Sequence, residues 1–554
     1  MNIRIYCINT GEYIEVSGGS SLSQIASQIE PQLGFRPICA RVNNKTEWMG
    51  FAVYMPKTIE FQDRTVGSGP RVYTRSLCML LYSALHDVLP GTRLRIEHSI
   101  SHGYYCRLGG YDDVPQEIID AVLARMRELS AADEPFLRHE ELTEDVKRMF
   151  ESRGLHSKSE LLRTTRELYT TYYSLGDVCD SYYGALAPST GHIDVFDLIR
   201  YKQGFLLMPF DPADPERPAR YIPQEKMYQA FTDYVNFNRI IGVYDVGGLN
   251  TCVMNRKTAD LINVAEALHE KALAHISDEI TRRYREGGAR IVLISGPSSS
   301  GKTTTTKRLA IQLMTNLLKP QMISLDDYFV DRERTPRDAD GDYDYESLYA
   351  LDLKQFNADL NAILAGEEVE LPSYNFEKGC RQYKGKRVRL DEGSILLIEG
   401  IHGLNPELTA YIPEQMKFRL YVSALTTLSI DDHNWVPTTD NRLLRRIIRD
   451  FKYRGTTAEE TIRRWPSVRR GEDKWIFPYQ ENADAMFNSS FVFELGVMKD
   501  YAESILRGVH GDVPEYAEAY RLRKFLSYFK PISSTLLPST SLLREFLGGS
   551  SFKY

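Results

Sequence analysis

Short runs that alternate apolar and polar residues dominate the first 63 residues. NIRIYCI and EYIEVS are typical of β-strands, and the turn residues NTG lie between them. SSLSQIASQI places a serine cap before apolar residues at helical spacing, and ICARVNNKT and TIEFQD return to the strand pattern. The order β-β-α-β-β predicts a β-grasp module over residues 1–63.

Residues 64–225 mix helical and strand periods. SLCMLLYSALHDVL is typical of a buried helix, VPQEIIDAVLARMREL of an amphipathic helix, and DVFDLIRYKQGFLLMPF of strands. FDPADPERPARYIP is rich in proline and predicts a boundary loop. Together these patterns predict an α+β domain. Residues 226–288 are mostly helical and stop at Gly287–Gly288, which predicts a helical connector.

The pattern changes at residue 289. RIVLIS, QMISL and SILLIEG are continuous apolar runs, as expected for strands buried on both faces, and helical stretches separate them. This alternation predicts a mostly parallel sheet over residues 289–505. Residues 506–554 are predicted to be a C-terminal helical extension. The whole chain is therefore predicted to be a multidomain α/β protein.

Composition is that of an ordinary globular protein, and it limits the number of domains, the binding partners and the cellular compartment that can be expected. The 554 residues correspond to about three to four domains. A net charge of −7 argues against binding polyanions over the whole surface, so nucleic-acid binding would need a local basic patch. Seven scattered cysteines without a CxxC pair, no cleavable signal and no apolar run of about 20 residues predict a cytoplasmic protein without a membrane anchor.

GPSSSGKT, residues 296–303, follows a predicted buried strand and precedes a predicted helix. In this context the pattern predicts a phosphate cradle, because its glycines let backbone amides face phosphate oxygens. Lys302 would reach the β- and γ-phosphates, and Thr303 would ligate Mg²⁺. The predicted nucleotide-binding residues are Gly296, Ser298, Ser299, Ser300, Gly301, Lys302, Thr303 and Thr304. ATPases, GTPases and small-molecule kinases share such a cradle, so the motif alone leaves the reaction open.

Carboxylates follow two further predicted strands. ISLDDYF ends with Asp326 and Asp327, and SILLIEG places Glu399 at the end of the next apolar run. The carboxyl ends of parallel strands lie beside the phosphate site. One aspartate could take the proton from an attacking hydroxyl, and Glu399 could hold Mg²⁺. A solvated loop entry and a helix-capping acid are the alternatives.

NRLLRRIIRDFKYRG predicts an arginine-rich helix. Arg442, Arg445, Arg446 and Arg449 fall on one helical face, and apolar residues form the opposite face. Such a face could close over ATP and stabilise the charge of a transferring phosphoryl group. A solvated face and binding to an RNA backbone are the alternatives.

Several motifs in this order resemble the uridine kinase/phosphoribulokinase family. The resemblance covers residues from about 289 to 505 and rests on GPSSSGKTT, ISLDDYF, YDYESLYALDL, LAGEEVELPSYNF, ILLIEGIHGL and NRLLRRIIRD. It implies a P-loop kinase fold. It also implies ATP and Mg²⁺ as cofactors, and phosphorylation of a hydroxyl group on a nucleoside or a sugar.

The same resemblance implies roles for individual residues. Asp326 resembles the general base for the acceptor hydroxyl, and Glu399 the acid linked to Mg²⁺. Asp344 resembles the acid that binds the ribose hydroxyls, and Tyr374 an acceptor-site tyrosine. The lid arginines that would contact phosphates are Arg446, Arg449 and Arg454.

Two features depart from the family pattern. Uridine kinases place a base-contacting histidine about five residues after the tyrosine, and here that position is Gly379. The specificity for a pyrimidine base is therefore left open, and so is the alternative that the acceptor is a sugar phosphate. The lid region also carries an insertion-like segment, SIDDHNWVPTT.

The first 225 residues resemble the N-terminal half of threonyl-tRNA synthetase. Residues 1–63 resemble its TGS module, and residues 64–225 its editing-type domain, on LPGTRLRIEHSISHGYYCRL and LGDVCDSYYG. The editing histidine pair of that family is replaced by Thr74 and Cys78, and the later pair reads Cys179 and Tyr183. A fold without editing chemistry is expected, because hydrolysis would lack its base.

One further histidine pattern is a weak metal candidate. His98, His102 and Cys106 recur at four-residue spacing, which could suit zinc. Gly103 favours a hairpin instead, and a fourth ligand is not evident, so structural or solvated histidines are the preferred interpretation.

The leading hypothesis is an ATP-dependent kinase that phosphorylates the 5′-hydroxyl of a nucleoside. A sugar-phosphate kinase is one alternative. The other is an RNA-binding regulatory protein that uses ATP as a switch, with tRNA or a nucleotide effector at the N-terminal modules. The sequence makes no prediction of oligomeric state.

Overall fold

The computed structural model describes residues 2–338 and 341–554. Residues 2–63 form a mixed five-stranded sheet in the order β2-β1-β7-β4-β5, with a helix packed against it. The predicted strands and helix of this module are all present. Its elements are β1 (Asn2–Cys7), β2 (Glu12–Ser17), β3 (Ser20–Ser21), α1 (Leu22–Gln28), α2 (Glu30–Leu33), β4 (Cys39–Val42), β5 (Lys45–Glu47), β6 (Ala52–Val53) and β7 (Thr58–Gln62).

Residues 64–225 build an α+β unit around a buried helix. That helix packs against a four-stranded antiparallel sheet, β13-β14-β9-β8, and near a three-stranded sheet, β10-β11-β12. The elements are α3 (Gly69–Val88), β8 (Leu94–Ile100), β9 (Gly103–Leu108), α4 (Gln116–Ala132), β10 (Leu137–Leu142), α5 (Thr143–Ser152), α6 (His156–Thr164), β11 (Tyr169–Leu175), β12 (Val178–Asp180), β13 (Asp197–Tyr201), β14 (Gly204–Met208), β15 (Phe210–Asp211) and β16 (Asp214–Pro218).

The proline-rich segment was predicted as a loop, and that prediction is wrong for its first half. β15 and β16 pair as a short hairpin. Asp211 and Pro212 suit the first two positions of a tight turn, and the Asp211 carboxylate accepts a hydrogen bond from the Ala213 amide at 2.9 Å. Pro215 and Pro218 are tolerated because an edge strand needs fewer amide donors.

The helical connector is α7 (Glu225–Ile240), α8 (Val246–Met254) and α9 (Thr258–Arg285). It is not an isolated linker. Leu273 and Ile280 of α9 belong to the same buried cluster as Val292 and Ile294 of the following strand. The connector therefore packs as part of the α/β core that follows it.

Residues 289–505, called here the α/β region, contain a five-stranded sheet in the order β18-β21-β17-β22-β23, and its neighbouring strands are all parallel. A parallel sheet was predicted, and this is confirmed. The elements are β17 (Ile291–Ser295), α10 (Lys302–Thr315), β18 (Lys319–Ser324), α11 (Leu353–Leu364), β19 (Val369–Asn375), β20 (Cys380–Val388), β21 (Ser394–Glu399), β22 (Lys417–Ser423), α12 (Thr438–Arg454), α13 (Ala458–Trp475), β23 (Ala485–Asn488) and α14 (Glu494–Leu506).

The C-terminal segment, residues 506–554, folds back onto the α/β region. It contains α15 (Tyr516–Ser527) and α16 (Arg544–Leu547). Leu542, Leu543 and Phe546 are fully buried in the same core cluster as α9 and the parallel sheet. The segment is helical as predicted, but it completes the core instead of extending from it.

The insertion-like segment joins the α/β region to the front region, residues 2–225. Asp431 and Asp180 both form buried ion pairs with Lys158, at 2.9 and 2.5 Å. His433 Nδ1 lies 2.7 Å from Asp180, and the Asp432 carboxylate accepts hydrogen bonds from Arg93. These contacts fix the front region against the end of β22. Among the described residues, no helix is both long and apolar enough to cross a membrane.

Candidate active site

The loop between β17 and α10 needs glycine at both ends of its motif. A Cβ on Gly296 would lie 1.9 Å from the carbonyl oxygen of Val422, and Gly301 has φ +83°. Ser299 and Ser300 have buried hydroxyl oxygens without a hydrogen-bond partner among the described residues. The loop is thus a tight concave turn at the N-terminus of α10, where an anion is favoured.

A buried ion pair holds one side of this loop. Arg442 on α12 pairs with Glu472 on α13, and both side chains are at most 1% exposed. Arg442 donates to the carbonyl oxygen of Ser298 at 3.1 Å, and the amide of Ser298 donates to Glu472 at 3.1 Å. The predicted nucleotide-binding residue Ser298 therefore has its backbone engaged by this pair.

A second buried ion pair holds the other side. Arg445 pairs with Glu494 at 2.5 Å and donates to the carbonyl oxygen of Ser299 at 3.5 Å. Arg445 also donates to the carbonyl oxygen of Ser489 at 2.9 Å, and the Ser489 hydroxyl donates to Ser300. The two pairs together fix the three serines of the loop.

The expectation of four guanidiniums closing over a nucleotide is wrong for Arg442 and Arg445. Their carboxylate partners come from α13 and α14, so neither arginine is available to solvent or to RNA. Arg446 and Arg449 instead lie on the side of α12 toward the phosphate loop and Asp326. Arg446 donates to the Ser298 hydroxyl at 2.9 Å, and three arginines surround the carboxylate of Asp450: Arg446, Arg449 and Arg454.

Asp326 lies in a helical turn directly after β18 and is exposed within the cleft. The surrounding protein desolvates the carboxyl group and raises its pKa, while the nearby positive charges of Lys302, Arg454 and Arg449 oppose that shift. Lys302 itself donates to the carbonyl oxygen of Pro297 at 3.2 Å. The structure therefore brings the predicted base together with the predicted phosphate-binding cations.

Thr303 and Glu399 form a pair suited to a magnesium ion. The Thr303 hydroxyl donates to a Glu399 carboxylate oxygen at 2.9 Å, so β21 and the start of α10 place two hard oxygen ligands together. Burial raises the pKa of Glu399 to about 7, against the opposing effect of Lys302. A cation bound here would favour the ionised carboxylate, so these residues fit Mg²⁺ beside the phosphate cradle.

Glu346 is a candidate site residue that the sequence analysis missed. Burial raises its pKa to about 7, and Arg446, Lys302 and Asp326 all lie close enough to influence it. One of its carboxylate oxygens is buried without a hydrogen-bond partner among the described residues. The quoted motif YDYESLYALDL contains it, but the irregular backbone there offers no periodic pattern that would single it out.

Of the predicted acceptor residues, Tyr374 contacts Asp327, the neighbour of Asp326. The amide of Tyr374 donates to Asp327 at 3.2 Å, and the buried Tyr374 hydroxyl has no partner within the described residues. Phe329 and Phe376 pack against this tyrosine, with ring centroids at 5.6 and 5.0 Å. Asp344 accepts from the Glu346 amide at 3.1 Å, and no described contact links it directly to Asp326.

Gly379 stands where uridine kinases carry a histidine, and its geometry explains the glycine. It has φ +67°, and an added Cβ would lie 2.9 Å from the Arg332 side chain. The turn between β19 and β20 thus needs glycine here, and Arg332 fills the space beside it. No ion pair to a carboxylate engages Arg332 within the described residues.

Comparison with known proteins agrees with this geometry. Residues 291–492 match the phosphoribulokinase / uridine kinase family. The matched segment contains the phosphate loop, both strand-end carboxylates and the arginine helix. The α/β region therefore contains a kinase-family segment, and from here on residues 289–505 are called the kinase-family region. The match supports a nucleotide-binding phosphotransferase.

Similar individual proteins fall into two groups. A uridine kinase of Deinococcus deserti is 26% identical over 197 residues, which are 35% of this chain and 86% of that protein. A threonine–tRNA ligase of Rubrobacter xylanophilus is 27% identical over 188 residues of the N-terminal part, which are 34% of this chain and only 29% of the ligase. A solved structure of a possible uridine kinase from Bacillus stearothermophilus is 19% identical, covers 36% of this chain and 89% of its own, and has a TM-score of 0.25.

None of the four residues predicted to stand at editing positions is a histidine: they are Thr74, Cys78, Cys179 and Tyr183. Thr74 donates to the carbonyl oxygen of Pro70, whereas Cys78, Cys179 and Tyr183 are buried. β8 and β9 form the hairpin that Gly103 predicted. No group of three or more His, Cys, Asp or Glu side chains that could hold a metal ion occurs in the described parts of the chain.

The C-terminal segment contacts the kinase-family cradle. The Glu545 carboxylate accepts hydrogen bonds from the Thr304 amide at 3.2 Å and from its hydroxyl at 2.6 Å. Tyr554 lies 2.9 Å from the same hydroxyl, and Leu542 packs on Gly301. At the N-terminus of α10, this carboxylate therefore accepts a hydrogen bond from a backbone amide that an incoming phosphate would need. Sequence spacing could not reveal this contact, because 241 residues separate its partners.

Replacing Glu494 with glutamine should destabilise the kinase-family region, because it leaves the Arg445 charge buried and uncompensated. We expect the thermal unfolding midpoint to fall by roughly 10 °C, as a broken buried pair costs about 3–5 kcal/mol. Glu503→Gln on the same helix removes partly exposed pairs with Lys499 and Arg507 and should shift the midpoint by less than about 2 °C. Equal shifts for the two variants would contradict the assignment.

Replacing Glu545 with glutamine should tighten ATP binding, because the neutral amide no longer places a negative charge against Thr304. An anion at a helix N-terminus contributes about 0.3–2 kcal/mol, so the calorimetric Kd should fall by about 2- to 30-fold. Glu515→Gln is the control, since Glu515 lies in the same segment but pairs with Arg463. Unchanged or weaker ATP binding by the Glu545 variant would show that the contact does not compete with phosphate.

Proposed function

We propose that this protein is an ATP-dependent kinase that transfers the γ-phosphate of Mg·ATP to the 5′-hydroxyl of a nucleoside. The observation that carries the proposal is the position of Asp326. Its carboxylate faces Lys302, Arg449 and Arg454 at the carboxyl edge of a parallel sheet. These positive charges lie near enough to influence the ionisation of Asp326, which supports a proton acceptor beside the cations that would hold a transferring phosphoryl group.

Each residue then has a physical role. Asp326 accepts the proton of the acceptor hydroxyl, and Lys302 binds the β- and γ-phosphate oxygens. Arg446 and Arg449 stabilise the charge on the transferring group, and Arg454 extends the same positive surface. Thr303 and Glu399 hold Mg²⁺, which when bound supplies positive charge to the phosphate oxygens.

The acceptor side favours a nucleoside over a smaller alcohol. Phe329, Tyr374 and Phe376 form an aromatic wall on which a flat base can pack. The unpartnered Tyr374 hydroxyl is available to a ribose or base oxygen. Asp344 is assigned to the ribose hydroxyls, because an ionised carboxylate accepts hydrogen bonds from diols.

A sugar-phosphate acceptor is the second candidate, and Arg332 is the observation that favours it. This half-buried guanidinium stands beside Gly379, where the base-contacting histidine is missing, and its donated hydrogen bond goes to the Phe376 carbonyl. A free phosphate on the acceptor could pair with it.

The front region is proposed to regulate the kinase. The support is its similarity to part of a threonine–tRNA ligase, together with the buried Lys158–Asp431 contact that joins it to the kinase-family region. A tRNA or nucleotide effector is the corresponding partner proposal. The buried state of Arg442 and Arg445 makes the arginine helix a weaker candidate for the surface that would bind RNA.

The Asp326→Asn variant tests the proposed base. With Mg·ATP and a panel of nucleosides and ribulose 5-phosphate, kcat should fall by about 10²–10⁴-fold, because the amide cannot accept the hydroxyl proton. The KM for ATP should change little. Product formation is measured by chromatography, with Lys302→Ala as the blank.

Asp327→Asn is the matched control, since this adjacent carboxylate binds the Tyr374 amide instead of facing the cations. It should lose much less turnover than Asp326→Asn. Retained turnover in Asp326→Asn, or equal losses in both, would refute the assigned base. Arg332→Ala distinguishes the two acceptor classes: it should weaken the binding of a phosphorylated sugar but not that of a nucleoside.

A further inference from the structure

A cavity of about 1010 Å³ lies where the front region meets the kinase-family region. We call it the junction cavity. α3 and the β8–β9 hairpin form one side, and the start of α12 and the end of α13 form the other. It reaches Pro297 from the side of β22, away from Asp326 and Tyr374, so it is separate from the proposed acceptor site. Its principal lining residues are Arg75, His98, Tyr104, Tyr183, Trp435 and Trp465.

Arg75 is a buried cation without a counter-charge. Its side chain is 8% exposed, and its Nε and Nη2 atoms both donate to the carbonyl oxygen of Ala185, at 3.1 and 2.9 Å. Nη1 has no hydrogen-bond partner, and no carboxylate pairs with this guanidinium, in residues 2–338 and 341–554. The nearby cations Arg71 and Arg521, by contrast, are paired with the carboxylates of Glu518 and Asp440.

This state contrasts with other buried arginines of the molecule. Arg308, Arg442 and Arg445 each have a carboxylate partner. A buried charge is costly unless it is paired, so an isolated guanidinium at a cavity wall indicates an anion that arrives from outside the chain.

His98 supplies a second, independent sign of a ligand. It is 3% exposed, and neither ring nitrogen has a hydrogen-bond partner among the described residues. Its ring stacks on Phe231 at 4.0 Å. Burial lowers its pKa to about 3, so the ring is neutral and offers one donor and one acceptor to the cavity.

Aromatic rings also line the cavity, together with four carboxylates, of which Asp440, Asp473 and Glu518 are paired with arginines and Glu481 is the fourth. Tyr104 of the front region lies 4.2 Å from Trp435 of the kinase-family region, centroid to centroid. Tyr183 and Trp465 also line the space. Such rings favour a flat partner, and a pocket of this size can enclose most of a small organic molecule.

We propose that the junction cavity binds a small planar organic anion, with its carboxylate or phosphate on Arg75 and its ring system against the aromatic wall. The proposal does not depend on the phosphoryl-transfer reaction. Arg442 lines the same cavity and holds Ser298 of the phosphate loop, so the ligand would sit directly behind that loop.

The test measures binding of two probes by calorimetry in a Lys302→Ala background, which removes binding at the phosphate loop. 1-Naphthyl phosphate, which has no ribose for the proposed acceptor site, represents planar phosphates, and 2-naphthoate represents planar carboxylates. We expect at least one probe to bind, and the comparison shows which anion the site prefers. In Arg75→Met the affinity should fall at least about tenfold, because a charge-assisted hydrogen bond is lost.

Arg71→Met is the matched control. Arg71 also lines the cavity, but Glu518 already pairs with it at 2.8 Å, so its loss should change affinity by less than about threefold. Arg75→Lys keeps the positive charge and should retain part of the affinity, which guards against misfolding of the methionine variant. Failure of both probes to bind at millimolar concentration, or equal affinity in the wild type and Arg75→Met, would overturn the proposal.

Discussion

Two buried ion pairs, Arg442–Glu472 and Arg445–Glu494, set the shape on which the candidate active site depends. Each arginine donates to a carbonyl oxygen of the phosphate loop, at Ser298 and Ser299. Because a buried pair tolerates little displacement, the loop is held in position before any nucleotide arrives. The buried arginines fix the rotation of α12 about its axis. Arg446 and Arg449 on the same helix are therefore held toward the phosphate loop and Asp326.

The other parts of the chain are tied to this centre by packing. α9 and the C-terminal segment share one apolar core with the parallel sheet, and Glu545 reaches the first turn of α10. The Lys158–Asp431 pair fixes the front region to the segment that leads into α12. The front and C-terminal parts therefore both contact elements that shape the phosphate loop, which gives each a physical route to influence nucleotide binding.

Local motifs predicted much of this site. The phosphate loop, Asp326 and Glu399 could be placed from the sequence, because a parallel sheet brings its strand ends to one edge. The partners of Arg442 and Arg445 could not, because their carboxylates lie 30 and 49 residues further along the chain on other helices. Glu545 and the unpaired state of Arg75 were equally hidden, since both depend on how distant segments pack. The proline-rich hairpin was missed because edge strands accept proline.

The central claim is that the buried pairs hold the phosphate loop in its binding geometry. The most direct measurement is the Kd for Mg·ATP of the double variant Arg445→Met/Glu494→Met. Well-packed apolar residues can replace a buried pair without loss of stability, so the thermal midpoint should stay within a few degrees of the wild type. If the claim is right, the affinity for Mg·ATP falls by at least about tenfold, because hydrogen bonds to Ser299 and Ser489 are lost. A stable double variant that binds Mg·ATP as tightly as the wild type would contradict it.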